Sequence, residues 1–195
     1  MKTNILKSTL VLVVAASVAS FTSISERKVN VAESKVNWKG YKVTGEHEGT
    51  INLKEGSLIF TDNQLTGGSF VIDMTTINTT DLSGDMKGKL DGHLKSDDFF
   101  GVAKFPTASF KITSVSGKDK LYRVTGDLTI KGITKSTSFA MQIVDDQTAT
   151  AALKIDRTKF GIEYQSSSFI ENLKDKAIYD EFDLNVTLKY QGSPK

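Results

Sequence analysis

The chain has no cysteine, two prolines, two histidines and one tryptophan in 195 residues. Without cysteine there is no disulfide, no thiol nucleophile and no thiolate metal site. A zinc site takes three or four ligands from Cys, His and carboxylates, and the spacing of His47 and His93 matches no such motif. GxSxG, the P-loop and GxGxxG are missing as well, and with them the sequence signatures of acyl transfer and nucleotide binding. Charge of one sign is not in excess either. Lys and Arg number 25 against 23 Asp and Glu, too balanced for the basic field that nucleic acid binding calls for. The apolar run Leu10–Ala16 falls far short of the roughly 20 residues of a spanning helix.

That run has a different use. Lys2 and Lys7 precede or flank it, small residues follow, and Ser17-Val18-Ala19 fits the small-x-small rule of signal peptidase. Residues 1–19 read as a secretory signal peptide and residues 20–195 as a single exported domain. No cysteine follows the run, so a lipid-anchored lipoprotein is excluded. With Lys2 and Lys7 removed, 25 basic residues become 23, equal to the 23 acidic ones. A cysteine-free protein behind a short basic signal points to a bacterial periplasm.

What fills the rest of the chain is alternation with period two, the pattern of half-buried strands. Val36, Trp38 and Gly40 share one face; so do Gly49, Ile51 and Leu53. A turn is expected at Lys54-Glu55-Gly56, before Leu58 and Phe60, and another at 61–64. Phe70, Ile72 and Met74, then Ala108, Phe110 and Ile112, then Tyr122 through Ile130 continue the pattern. Phe139, Met141 and Ile143 follow, then Ala149 through Ile155, and lastly Phe182, Leu184, Val186, Leu188 and Tyr190. Eight or nine strands joined by short turns form an antiparallel meander, closed as a sandwich or a barrel.

Two stretches break the alternation. In DLSG-DMKG-KLDG-HLKS, from Asp81, the apolar Leu82, Met86, Leu90 and Leu94 recur every four residues and suit one side of a helix. Gly84, Gly88 and Gly92 share a side, which would let that helix approach a neighbour closely. The stretch runs into Ser96-Asp97-Asp98-Phe99-Phe100, where Ser96 is expected to N-cap a short turn that aims both rings at the end of the sheet. The pair is either a plug belonging to the core or a lid over a cavity mouth. The second stretch, Tyr164 to Ala177, reads as a loop with a short helix.

Taken together, several segments resemble the YceI-like family of lipocalin-like periplasmic polyisoprenoid-binding proteins. They are SKVNW (34–38), GEHEG (45–49), VIDMTTI (71–77), HLKSDDFFGVAKFPTASF (93–110), GDLTIKGITK (126–135) and DRTKFGI (156–162). The resemblance implies an all-β fold, an extended eight-stranded antiparallel lipocalin-like β-barrel with a helical segment capping one end. It also implies a non-enzymatic role: an isoprenoid or other long-chain amphiphile in an apolar pocket, its polar head near the opening.

On that reading the apolar parity nominates Trp38, Phe70, Ile72, Phe110, Phe139, Met141 and Leu184 as pocket lining, with Phe99 and Phe100 at the mouth. Arg157 and Lys135 lie near turns, where they would meet a pyrophosphate or serve as surface charge. No cofactor other than the bound amphiphile is expected. The partners are a hydrophobic small molecule, a membrane in transient contact and a second copy in a homodimer, without nucleic acid. Two rivals stand beside the carrier. One is a hydrolase or isomerase using His93 or His47 with a carboxylate, and the other a filled barrel with a structural or interaction role.

Overall fold

Alternating side chains give each strand one apolar face, and antiparallel pairing collects those faces into one interior. The structure, a computed structural model, describes residues 22–193, so the signal peptide expected at residues 1–19 lies outside the described residues. Nine strands run β1 Ile24–Lys28, β2 Lys35–Lys42, β3 Gly45–Thr61, β4 Gln64–Thr79, β5 Thr107–Lys118, β6 Leu121–Ile130, β7 Ile133–Asp145, β8 Thr148–Asp156 and β9 Ile178–Lys189. Among the described residues one α-helix, α1, spans Gly84–Lys95 between β4 and β5.

Strands β2 to β9 close into an eight-stranded barrel in the order β3-β2-β9-β8-β7-β6-β5-β4, with β4 returning to β3. β1 is the ninth strand. It pairs with the second half of β3, Ile24 opposite Thr61, in line with β2 on the first half, Val36 opposite Ile51. Two-residue turns at Asp62-Asn63, Asp119-Lys120 and Lys131-Gly132, all with positive φ, join β3–β4, β5–β6 and β6–β7. That backbone twist suits tight hairpins.

The turn expected at 54–56 is absent. Leu53 pairs with Ile72 and Glu55 with Val71, so Lys54 is one extra residue in a continuous β3. This bulge switches the parity that faces inward, which is why Ile51 and Leu53 are buried before it and Leu58 and Phe60 after it. Read as two patterns, the strand looked broken.

The end carrying the 62–63, 119–120 and 146–147 turns is floored by side chains. Phe60 and Tyr190 stack at 5.9 Å, and the Arg27 guanidinium sits 4.0 Å over the Phe60 ring. Arg27, 4% exposed, donates to Asp146, Asn63 and Ser193. Burial pushes the Tyr190 phenol up to about 12.

The opposite end carries α1, the chain 96–106 and the segment 157–177. Here two expectations are corrected. α1 buries no residue, Met86 is 61% exposed, and a Cβ at Gly84, Gly88 or Gly92 would meet nothing within 4 Å. The glycine side faces open space. The helix is held instead by Asp91, which accepts from the Thr79 N–H at 2.8 Å and from Lys87 at 2.6 Å, and by Leu94 packing on the core. Ser96 starts the 97–100 turn through its carbonyl, which accepts from the Phe99 N–H at 3.1 Å, but its side chain does not cap that turn. Ser96 also ends α1, its N–H and Oγ both donating to the His93 carbonyl at 3.1 and 2.7 Å. Gly101, with φ 58°, then turns the chain and donates back to the Ser96 carbonyl.

Candidate functional site: an apolar lumen with a covered mouth

The barrel is not filled. A cavity of about 190 Å³ runs inside it toward the α1 end, and every residue on its wall is apolar or glycine. Trp38, Phe70, Ile72, Phe99, Phe100, Phe110, Phe139, Met141 and Leu184 all lie on that wall. So do Phe182, Val186, Leu153, Met74, Ile77 and Leu94, which were not singled out from the sequence. Phe182 and Val186 share the parity of Leu184 in β9, so the signal for them was present. Ile77 lies beyond a bulged stretch of pairing, where parity no longer tells inside from outside.

Large rings leave room for a lumen because glycines seat three of them. A Cβ at Gly49 would collide with the Asn78 carbonyl and come within 2.5 Å of the Trp38 ring. One at Gly56 would come within 2.8 Å of Phe70, and one at Gly126 within 2.5 Å of Phe110. Trp38 and Gly49 are direct cross-strand partners, as are Phe70 and Gly56. The rings lie back against bare backbone on the next strand, the arrangement in which an aromatic covers a glycine.

The mouth is covered by rings. Phe99 is 8% exposed, and its centroid lies 5.1 Å from Phe100 in an edge-on pair. Phe100 in turn meets Phe182 at 6.3 Å, and His93 lies 5.6 Å from Phe99 and 4.5 Å from Tyr164. Phe99 belongs to the buried core, Phe100 packs against it, and both rings line the cavity at its α1 end.

The profile of the YceI-like domain matches residues 28–190. The chain belongs to the YceI-like family. A YceI protein of Escherichia coli O157:H7 is 39% identical over 69 residues, 35% of this chain and 36% of that one. The chain thus aligns with little more than a third of that relative. A UPF0312 protein of Shewanella denitrificans is 29% identical over 145 residues, 73% of this chain and 72% of its counterpart. Among solved structures, Burkholderia cenocepacia BcnA superposes with a TM-score of 0.62 at 21% identity, covering 82% of this chain and 98% of that one. A polyisoprenoid binding domain from Saccharophagus degradans, implicated in plant cell wall breakdown, gives 0.59 at 17% identity, covering 86% and 98%. At these identities the structural likeness is one of fold.

The charged residues of this YceI-like barrel lie outside its lumen. Arg157 is not plain surface charge. It is 2% exposed and donates to the carbonyls of Tyr179, Ile162 and Ile178 at 3.1, 2.8 and 3.0 Å. Burial lowers its pKa from the ordinary value, against the pull of Asp180 and Asp156. It clips both ends of the segment 163–177 to the barrel rim, with its guanidinium 5.5 Å from the centre of the Phe99 ring. Lys135 is exposed.

The histidines differ. His47 donates from Nδ1 to Asp81 at 2.8 Å on the barrel rim, opposite Gly40. Burial pushes the Asp81 carboxyl up, but His47 and the Glu48 N–H pull it further down, below the usual range. His93 packs against the rings of the mouth, and its Nε2 is buried with no hydrogen-bond partner.

Proposed function

We propose that the protein, once exported to a bacterial periplasm, sequesters or carries an isoprenoid or other long-chain amphiphile, such as an isoprenoid quinone or a polyprenyl lipid, in the barrel lumen. The observation that carries this reading is the wholly apolar wall of the cavity. Such a wall can bind a hydrocarbon chain by shape and desolvation alone, each buried methylene being worth about 0.8 kcal/mol. The name of the Saccharophagus degradans neighbour, a polyisoprenoid binding domain, supports the same ligand class. The nine aromatic and aliphatic residues named from the sequence are then the chain contacts.

The cavity's volume is about 190 Å³. A long chain enters past Phe99 and Phe100, its hydrocarbon end in the lumen and its polar head at the mouth. Exposed apolar residues stand on that side of the barrel: Phe169 and Tyr179 are 55% and 56% exposed. They support transient membrane contact as part of the reading. A homodimer also belongs to it, and light scattering on the same preparation tests that.

The direct test is organic extraction of the purified mature protein and mass spectrometry against a mock purification. A stoichiometric long-chain amphiphile is the expected result. An empty extract, repeated after incubation with quinone and polyprenyl lipids, removes the carrier reading. The enzyme reading has one observation on its side, the His47–Asp81 pair. A His47→Ala variant that binds amphiphile and leaves it chemically unchanged, as the wild type does, speaks against it.

A further inference from the structure

We propose that His93 is the head-group residue of the mouth, its Nε2 hydrogen-bonding an oxygen on the polar end of an amphiphile whose chain lies in the lumen. This rests on the carrier reading above and adds where and how the head is held. The lumen offers a head group nothing, because its wall carries no polar side chain. The head must therefore stop at the mouth, where Phe99 is the covering ring.

Two nitrogen-bearing side chains pack on Phe99, and they differ in how their nitrogens are used. Arg157 commits Nε and both terminal nitrogens to the carbonyls of Tyr179, Ile162 and Ile178. The lysines of the neighbouring turn both hold Asp97: Lys104 pairs with its carboxylate at 2.7 Å and Lys131 donates to its carbonyl at 2.9 Å. At the end of α1 the His93 carbonyl takes Ser96, the Leu94 carbonyl takes Phe100 and the Lys95 carbonyl takes Val102. Of these nitrogens His93 Nε2 alone has no hydrogen-bond partner, and it is shielded from water. A buried nitrogen without a partner is unfavourable, and one that gains a partner from a ligand turns that loss into affinity. An imidazole can donate to a phosphate or carbonyl oxygen and exchange donor and acceptor roles with an alcohol. Displacement of Phe99 by an entering chain brings the head to the ring that Phe99 packs against.

The test uses three probes that share a chain and differ at the end: farnesol, farnesyl phosphate and the hydrocarbon farnesene. His93→Phe keeps an aromatic ring against Phe99 and Tyr164 and removes the hydrogen bond. It is expected to weaken farnesol and farnesyl phosphate by roughly 3- to 10-fold while farnesene stays within about twofold. His93→Gln is expected to recover part of the loss. Should the phenylalanine crowd the site, His93→Met, of similar length to glutamine and unable to hydrogen-bond, supplies the same comparison. Parallel weakening of all three probes, or no change in any, overturns the inference and leaves His93 a packing residue. Wild-type protein that binds none of the three removes the carrier reading and this inference with it.

Discussion

Replacing Arg157 with methionine keeps most of the side-chain length and removes every donor. Three carbonyls, of Ile162, Ile178 and Tyr179, lose a charged partner at 2.8 to 3.1 Å. Asp180, 3.6 Å from the guanidinium, loses its compensating charge. Breaking a buried charged network of this kind costs about 3–5 kcal/mol. With a urea dependence of about 2 kcal/mol per molar, the unfolding midpoint should fall by about 2 M. Trp38, the one tryptophan of the chain, reports the transition without added label. The carbonyls belong to both ends of the segment 163–177, so its amide protection and protease resistance should fall first. Arg157→Lys should rescue little, because a point charge on a flexible stem cannot satisfy three acceptors set by a planar fork. A midpoint shift equivalent to less than about 1 kcal/mol, with no new cleavage in 163–177, would refute the clip.

Two further outcomes follow from the geometry. Gly49→Ala puts a Cβ into the Asn78 carbonyl and the Trp38 ring, so stability should fall by about 1–3 kcal/mol with a shift in Trp38 emission, read by urea unfolding. Burial raises the Asp91 pKa, while Lys87 and Thr79 lower it further and leave the carboxyl below its ordinary value. A carboxylate lowered in this way stabilises the fold above about pH 4 and loses that contribution as pH falls through the folded value. Amide exchange in α1 should therefore accelerate below about pH 4 ahead of the barrel strands, and Asp91→Asn should abolish that step.

The barrel was legible where burial is strictly one-sided. β9 shows its inward face residue by residue from Phe182 to Tyr190, and the 62–63 and 131–132 turns announce themselves by composition. Legibility fails where one residue shifts the register. Lys54 made one strand read as two, because periodicity sees a parity change and cannot tell a bulge from a turn. β1 was not foreseen: only Arg27 of its five residues is buried, and an apolar face cannot be read from an arginine. Arg157 failed for the same reason in reverse. Its acceptors are backbone carbonyls, two of them 22 and 21 residues away, and a carbonyl carries no sequence signal. The helix at 84–95 was visible from its four-residue repeat, and Leu94 of that repeat does pack on the core, but the glycine side faces open space. The contacts that hold α1 are Asp91 and Leu94 near its end, and spacing alone does not weigh one turn over another.

The glycines beneath Trp38, Phe70 and Phe110 make the calibre of the barrel a property of residues that no cargo would touch. A methyl group added behind a ring tips that ring into the bore, and the bore narrows although the list of lining residues is unchanged. Three positions, 49, 56 and 126, thus act as independent stops set at different places around one tube. Barrels of the same fold and the same apolar lining can differ in the girth of molecule they admit through substitutions hidden in the wall.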